Sequence, residues 1–124
     1  MLLLDKSRVL QILVNLIGNA KQAMDGVTDQ LRRMTLRMDV ADVVDGRRLR
    51  ISVEDEGEGI AHENMARLFV HGFTTHNQGH GFGLHSCALA AKEMGGTLTA
   101  QSEGLGKGAA FTLELPINRV GDHP

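Results

Sequence analysis

Leu49-Arg50-Ile51-Ser52-Val53-Glu54-Asp55-Glu56-Gly57-Glu58-Gly59-Ile60 changes character in its middle. In the first half apolar Leu49, Ile51 and Val53 alternate with polar residues, the period of a strand with one buried face. In the second half acids and glycines take over, so the spacing ends the strand at Glu54 and delivers Asp55 to Ile60 just past the sheet edge. Upstream, Met34, Leu36, Met38 and Val40 alternate with Thr35, Arg37 and Asp39, and Asp45-Gly46 turns this run into the next. The two runs are therefore a hairpin whose end presents a carboxylate among glycines.

A helix precedes the hairpin. Asp5 can cap a segment from about Lys6 to Met24, because Val9, Leu13, Leu16, Ala20 and Ala23 recur every three or four residues, and Gly26 is a stop. Arg8, Gln11, Asn15, Asn19 and Gln22 form a polar stripe on the opposite face. Asn competes for backbone hydrogen bonds inside a helix, so two of them one turn apart imply either plain solvent exposure or a task.

Beyond the hairpin, a short helix is expected near Glu63 to Phe69. From His71 to Gly83 periodicity disappears and Gly72, Gly79, Gly81 and Gly83 accumulate, marking a long loop. It runs into a helix from about Phe82 to Met94, with Leu84, Ala88 and Ala91 on one face and Gly95-Gly96 as its stop. Leu98 and Ala100 mark one closing strand and Phe111, Leu113 and Leu115 another, with Gly104, Gly106 and Gly108 between them and Pro116 ending the pattern. The expected organisation is one domain over 1–117, opening on Met1-Leu2-Leu3-Leu4 as a shortened first strand, followed by a flexible tail over 118–124. This order of elements gives an α+β class, helices covering one face of a sheet.

Composition narrows the function. The 124 residues suffice for one core, and the net charge of −2 offers no basic field for nucleic acid or an anionic membrane surface. With four Phe and no Trp or Tyr there is no aromatic stacking platform. The single cysteine, Cys87, closes no intrachain disulfide, which fits a reducing cytoplasmic setting. No apolar run approaches the ~20 residues needed to span a bilayer.

The glycines fall into three groups at element junctions: Gly57/Gly59, Gly79/Gly81/Gly83 and Gly106/Gly108. Gly79-His80-Gly81-Phe82-Gly83-Leu84 opens a helix, where unpaired N–H groups and the positive dipole end suit a phosphate. A P-loop is excluded by the missing Gly-Lys-Ser/Thr, and a eukaryotic-type protein kinase by the missing His-Arg-Asp and Asp-Phe-Gly. The acids beside Gly57 and Gly59, and the wrong third spacing, exclude a Rossmann pyrophosphate site. Asp55 is instead suited to accept from a donor such as an exocyclic amine, leaving a hard cation to the Asn stripe.

Taken together, these segments resemble the ATP-binding catalytic domain of bacterial sensor histidine kinases, within the gyrase, Hsp90, histidine kinase and MutL superfamily. Asn15-Leu16-Ile17-Gly18-Asn19-Ala20 is similar to the family's N box, Asp55 to Ile60 to its first glycine box, and Leu68-Phe69-Val70-His71-Gly72-Phe73-Thr74-Thr75 to its F box. Gly79 to Leu84 resembles the second glycine box and Gly106-Lys107-Gly108-Ala109-Ala110-Phe111 the third.

The resemblance implies a two-layer α/β sandwich of the Bergerat type, its mixed and mostly antiparallel sheet covered on one face by helices. It implies ATP and Mg²⁺ as cofactors, with Asn19 as the Mg²⁺ ligand, Asn15 assisting, and Asp55 accepting from the adenine amino group. Gly57, Gly59, Ile60, Phe73, Thr74, Thr75, Gly79, His80, Gly81, Phe82, Gly83 and Leu84 would contact the nucleotide, with 71–83 as the ATP lid. The implied partners are a histidine-bearing dimerisation domain of the same protein and a downstream response regulator, in a cytoplasmic domain of a protein that can be membrane-anchored. The implied reaction is donation of the γ-phosphate to that histidine. An ATP hydrolase of the Hsp90 or MutL type, whose general-base Glu is replaced here by Asn15, and a nucleotide-sensing module are the alternatives. Gln22 and His76 stand where many relatives carry basic residues.

Other features read as scaffold. His71, His76, His80 and His85 lack acidic or cysteine partners at zinc-ligand spacing. His62-Glu63 reads as an exposed pair, Cys87 as a buried inert thiol, and Met24, Met38, Met65 and Met94 as core filler.

Overall fold

The computed structural model describes residues 2–3, 6–25, 33–43, 46–70 and 82–119. In chain order these form β1 (Leu2–Leu3), α1 (Lys6–Asp25), β2 (Met34–Val43), β3 (Gly46–Asp55), a 3-10 helix (His62–Arg67), α2 (Phe82–Glu93), β4 (Thr97–Gln101) and β5 (Ala109–Arg119). β5 is the hub of the sheet: β3 pairs along it from Ala109 to Ile117, β4 along Ala110 to Glu114, and β1 at Asn118 and Arg119. β2 completes the sheet beyond β3, and every pairing among the described residues is antiparallel.

Directly opposed residues share a face, which gives the sheet two unlike sides. On one side Val53 faces Phe111, Ile51 faces Leu113 and Leu49 faces Leu115, all buried beneath the helices. On the other, Ser52 and Thr112 hydroxyls meet at 3.0 Å and Arg50 Nε donates to Glu114 at 2.6 Å, a solvent face that needs no second layer. α1 lies over β3 and α2 over β4 and β5. Ile12 and Leu16 of α1 are fully buried, each contributing about 1.5–3 kcal/mol by removal from water.

The two helices run antiparallel. Arg8, near the start of α1, pairs with Glu93, the last residue of α2, at 3.3 Å, while Asn15 lies against Gly83 at the start of α2. Glycine ends α2 as expected: Gly95 (φ +82°) takes the left-handed cap, and Gly96 N donates to Ala91 O at 2.8 Å.

Four expectations are corrected. β3 continues through Asp55, which pairs with both Met34 and Ala109, so the carboxylate belongs to the sheet's last rung and not to the loop after it. The segment expected as a helix over 63–69 is a single 3-10 stretch, too short to bury a face. Pro116 does not end β5; it stands beyond the last β4 pair, Thr97 opposite Glu114, where that flank of β5 is open among the described residues and a missing N–H is tolerated. The strand therefore runs two residues into the expected tail, where Asn118 and Arg119 gain β1 as partner. Finally, Leu36, Met38 and Val40 of β2 lie on the core side yet are exposed, because no helix reaches over that edge. Gly26, Asp5, Asp45 and residues 120–124 lie outside the described residues.

Candidate functional site

Asp55 closes β3 on the helical side of the sheet and is only 7% exposed. Its Oδ1 accepts from Gly57 N at 2.9 Å, turning the chain back toward α1. Burial pushes its carboxyl above the ordinary value of 3.8; the Gly57 and Ala109 backbone donors oppose that shift, and the Glu58 charge adds to it.

The turn is stitched to the end of α1. Glu58 N donates to Ala23 O at 3.0 Å, and a Cβ on Gly57 would stand 2.7 Å from the Ala23 carbonyl, so only glycine permits this approach. Asn19 is one helical turn before Ala23, and Asn15 one turn before that, facing Gly83 with its Cγ 3.5 Å from where a Cβ would be. Asn19 thus lies between the acid–glycine turn on one side and the N-terminal end of α2 on the other. Its Nδ2 is buried with no hydrogen-bond partner among the described residues. Buried amides left this way are rare and need an explanation.

Asn15 is half-buried, and its Nδ2 donates to Cys87 Sγ at 3.5 Å. Cys87 is buried as expected, its thiol within 3.9 Å of Ile12 O and its pKa raised by burial against the opposing Asn15 hydrogen bond. The Asn stripe therefore does not face open solvent; it lines the seam with α2.

The third glycine group docks onto the first. Gly106 N donates to Glu58 O at 2.7 Å, and a Cβ on Gly59 (φ +74°) would collide with Gly104 O. Ser102, which sequence reasoning did not single out, organises this junction: its Oγ accepts from Ile60 N at 3.0 Å and Gly104 N at 3.2 Å and donates to Gly108 O at 2.7 Å. Behind it an open groove of about 460 Å³ runs along Glu54, Asp55, Gln101 and Lys107.

Of the residues expected to contact nucleotide, the structure brings Asn15, Asn19, Asp55, Gly57, Gly59, Ile60, Gly83 and the buried Leu84 around the junction of α1, α2 and the β3 end. Phe73, Thr74, Thr75, Gly79, His80 and Gly81 lie outside the described residues, and Phe82 is described only as the first residue of α2. His62 and Glu63 are exposed as expected, and no cluster of metal-ligating His, Cys, Asp or Glu occurs among the described residues. Met65 and Met94 pack against the core, whereas Met38 does not. No described helix is long and apolar enough to cross a membrane.

Residues 4–119 match the family of histidine kinase-, DNA gyrase B- and HSP90-like ATPases. The sensor histidine kinase ZraS of Klebsiella oxytoca is 36% identical over 114 residues, 92% of this chain and 23% of that protein. Two solved structures share the fold. Full-length ShkA in complex with AMPPNP has a TM-score of 0.71 at 33% identity, over 91% of this chain and 22% of that one. The nucleotide-free catalytic domain of histidine kinase ThkA has a TM-score of 0.72 at 29% identity, over 90% and 68%. The chain spans about a quarter of the length of the curated relatives it matches. On fold, site and sequence, it belongs to the histidine kinase-, DNA gyrase B- and HSP90-like ATPase family.

Proposed function

We propose that this domain binds Mg·ATP and donates the γ-phosphate to a histidine on a separate dimerisation domain of the same protein, in two-component signalling. The observation that carries the reading is the buried Nδ2 of Asn19, without a partner among the described residues, midway between the Asp55–Gly59 turn and the start of α2. An amide's oxygen and nitrogen exchange places by a flip, so this group can give its oxygen to Mg²⁺ or an N–H to phosphate. A bound Mg²⁺ would neutralise charge on the triphosphate. Asn15 assists one turn earlier, Asp55 accepts from the adenine amino group, and Gly83 and the residues before it give backbone N–H groups to phosphate. Phe73, Thr74, Thr75, Gly79, His80 and Gly81 complete the nucleotide contacts as a lid that excludes water.

The acceptor imidazole supplies the nucleophile, so positioning is this domain's share of the reaction. Asn15 takes no proton from water at neutral pH, and its amide nitrogen is engaged by Cys87, which supports transfer over hydrolysis. A response regulator downstream and a cytoplasmic location belong to the same reading.

Radiolabelled ATP tests it. The chain alone is expected to stay unlabelled and to release phosphate slowly, and added dimerisation helices to take up acid-labile label weakly, because no tether raises their local concentration. Label on a histidine of this chain alone, or rapid phosphate release, would overturn the assignment.

A further inference from the structure

β2 is the unprotected edge of the sheet. It runs ten residues, pairs one-for-one with β3 from Met34 to Val43 and contains neither Pro nor Gly, and no other described strand pairs with its outer flank. Edge strands ordinarily carry bulges, prolines or inward-pointing charges that prevent further pairing. Here the core-side positions Leu36, Met38 and Val40 are 54, 63 and 53% exposed. Three of the eight exposed large hydrophobics among the described residues therefore lie along one strand edge.

The strip is complementary to itself. In an antiparallel pairing of two β2 strands centred on Met38, Leu36 meets Val40 of the other copy on the helical side. On the solvent side Arg37 meets Asp39 of the other copy, twice by symmetry. Centring on Arg37 or on Asp39 would oppose like charges, and a shift by one residue would set apolar against charged faces. Within one copy Arg37 bonds Glu54 at 3.0 Å and Asp39 stands opposite Arg50, so both charges already lie on the solvent face.

We propose that a second copy of this chain docks on β2, extending the sheet across a two-fold axis at Met38 and setting Leu36 of each copy beside Val40 of the other.

Sedimentation equilibrium of the 124-residue chain across micromolar to millimolar concentration tests this, with folding of each variant checked by circular dichroism. A reversible dimer is expected. Arg37→Glu and Asp39→Arg should each weaken it about tenfold or more, because each reversal turns two attractions into two repulsions, and the double variant should recover it. Met38→Lys, which sets two cations face to face on the axis, should also weaken it. A chain that stays monomeric throughout, or a dimer indifferent to these changes, overturns the proposal.

Discussion

Asp55 is held as a buried carboxylate at a site whose burial favours its neutral form. The folded chain therefore holds that proton more tightly than the unfolded chain does. Stability contributed by this group is fully present below the unfolded value near 3.8 and is lost as pH rises through the raised folded value. Asp55→Asn removes the charge and keeps an oxygen able to accept from Gly57 N, so at neutral pH the nucleotide-free chain should be as stable as the parent or more so, and in urea denaturation it should lack the stability that Asp55 adds as pH falls. Nucleotide binding should move the other way. A hydrogen bond to a charged acceptor contributes about 1.5–3 kcal/mol, so losing it should weaken ATP roughly 10- to 150-fold in calorimetry. In the parent, ATP should outcompete GTP strongly, because guanine sets a carbonyl where adenine presents its amino group and leaves the carboxylate facing an acceptor. Equal affinity for ATP and GTP, or an Asp55→Asn chain that binds ATP unchanged, would refute the role of this carboxylate in reading the base.

Asn19→Ala should abolish the magnesium dependence of ATP affinity while leaving thermal stability of the empty chain nearly unchanged, since its Nδ2 has no hydrogen-bond partner among the described residues. Calorimetry with and without Mg²⁺ checks this, and a retained magnesium dependence would contradict it. Gly57→Ala should cost about 1–3 kcal/mol, because the new methyl meets the Ala23 backbone, which cannot step aside as a flexible side chain would. Gly18→Ala, in the same helix with nothing within 4 Å, should stabilise by about 0.5–1 kcal/mol. Denaturation midpoints of the two variants should therefore shift in opposite directions.

The readable parts of this fold were those carried by local period. α1, the β2–β3 hairpin and α2 have their residues at 3.6 or two per repeat; the helices formed within a residue of the expected bounds, while the hairpin strands run three residues further toward their turn, so that Gly46, expected in the turn, pairs with Val43. Alternation in β2 identified the correct face, but it could not tell whether anything covers that face, because cover depends on where α1 sits and not on β2 itself. Pro116 misled for a similar reason: its tolerance depends on the length of β4, a neighbour distant in sequence. Ser102 carried no signal at all, since a lone serine before a glycine turn is ordinary turn chemistry until the first glycine turn arrives beside it. The ambiguity in the Asn stripe was resolved by α2, some seventy residues away in the chain, as the Asn15–Cys87 contact shows.

Satisfaction of polar groups separates scaffold from site in this domain. Ser102 spends its hydroxyl within the glycine junction, Asn15 gives its amide nitrogen to Cys87, and the solvent-face Arg50 is paired with Glu114. Against that background two groups stand out among the described residues: Asn19, whose Nδ2 is buried without a hydrogen-bond partner, and Asp55, buried with its ionised form disfavoured. Neither improves the empty fold, because an unpaired amide and a desolvated carboxylate both oppose burial. Both gain when a guest supplies a further partner, an acceptor or cation for the amide and, for the carboxylate, a donor beyond the Gly57 and Ala109 N–H groups it already accepts from. The two are fixed relative to each other by the Gly57–Ala23 contact, which ties the β3 end to the helix turn following Asn19. A ligand that bridges them must therefore carry a donor edge at one end and an anion or its cation at the other, as an adenine nucleotide with magnesium does.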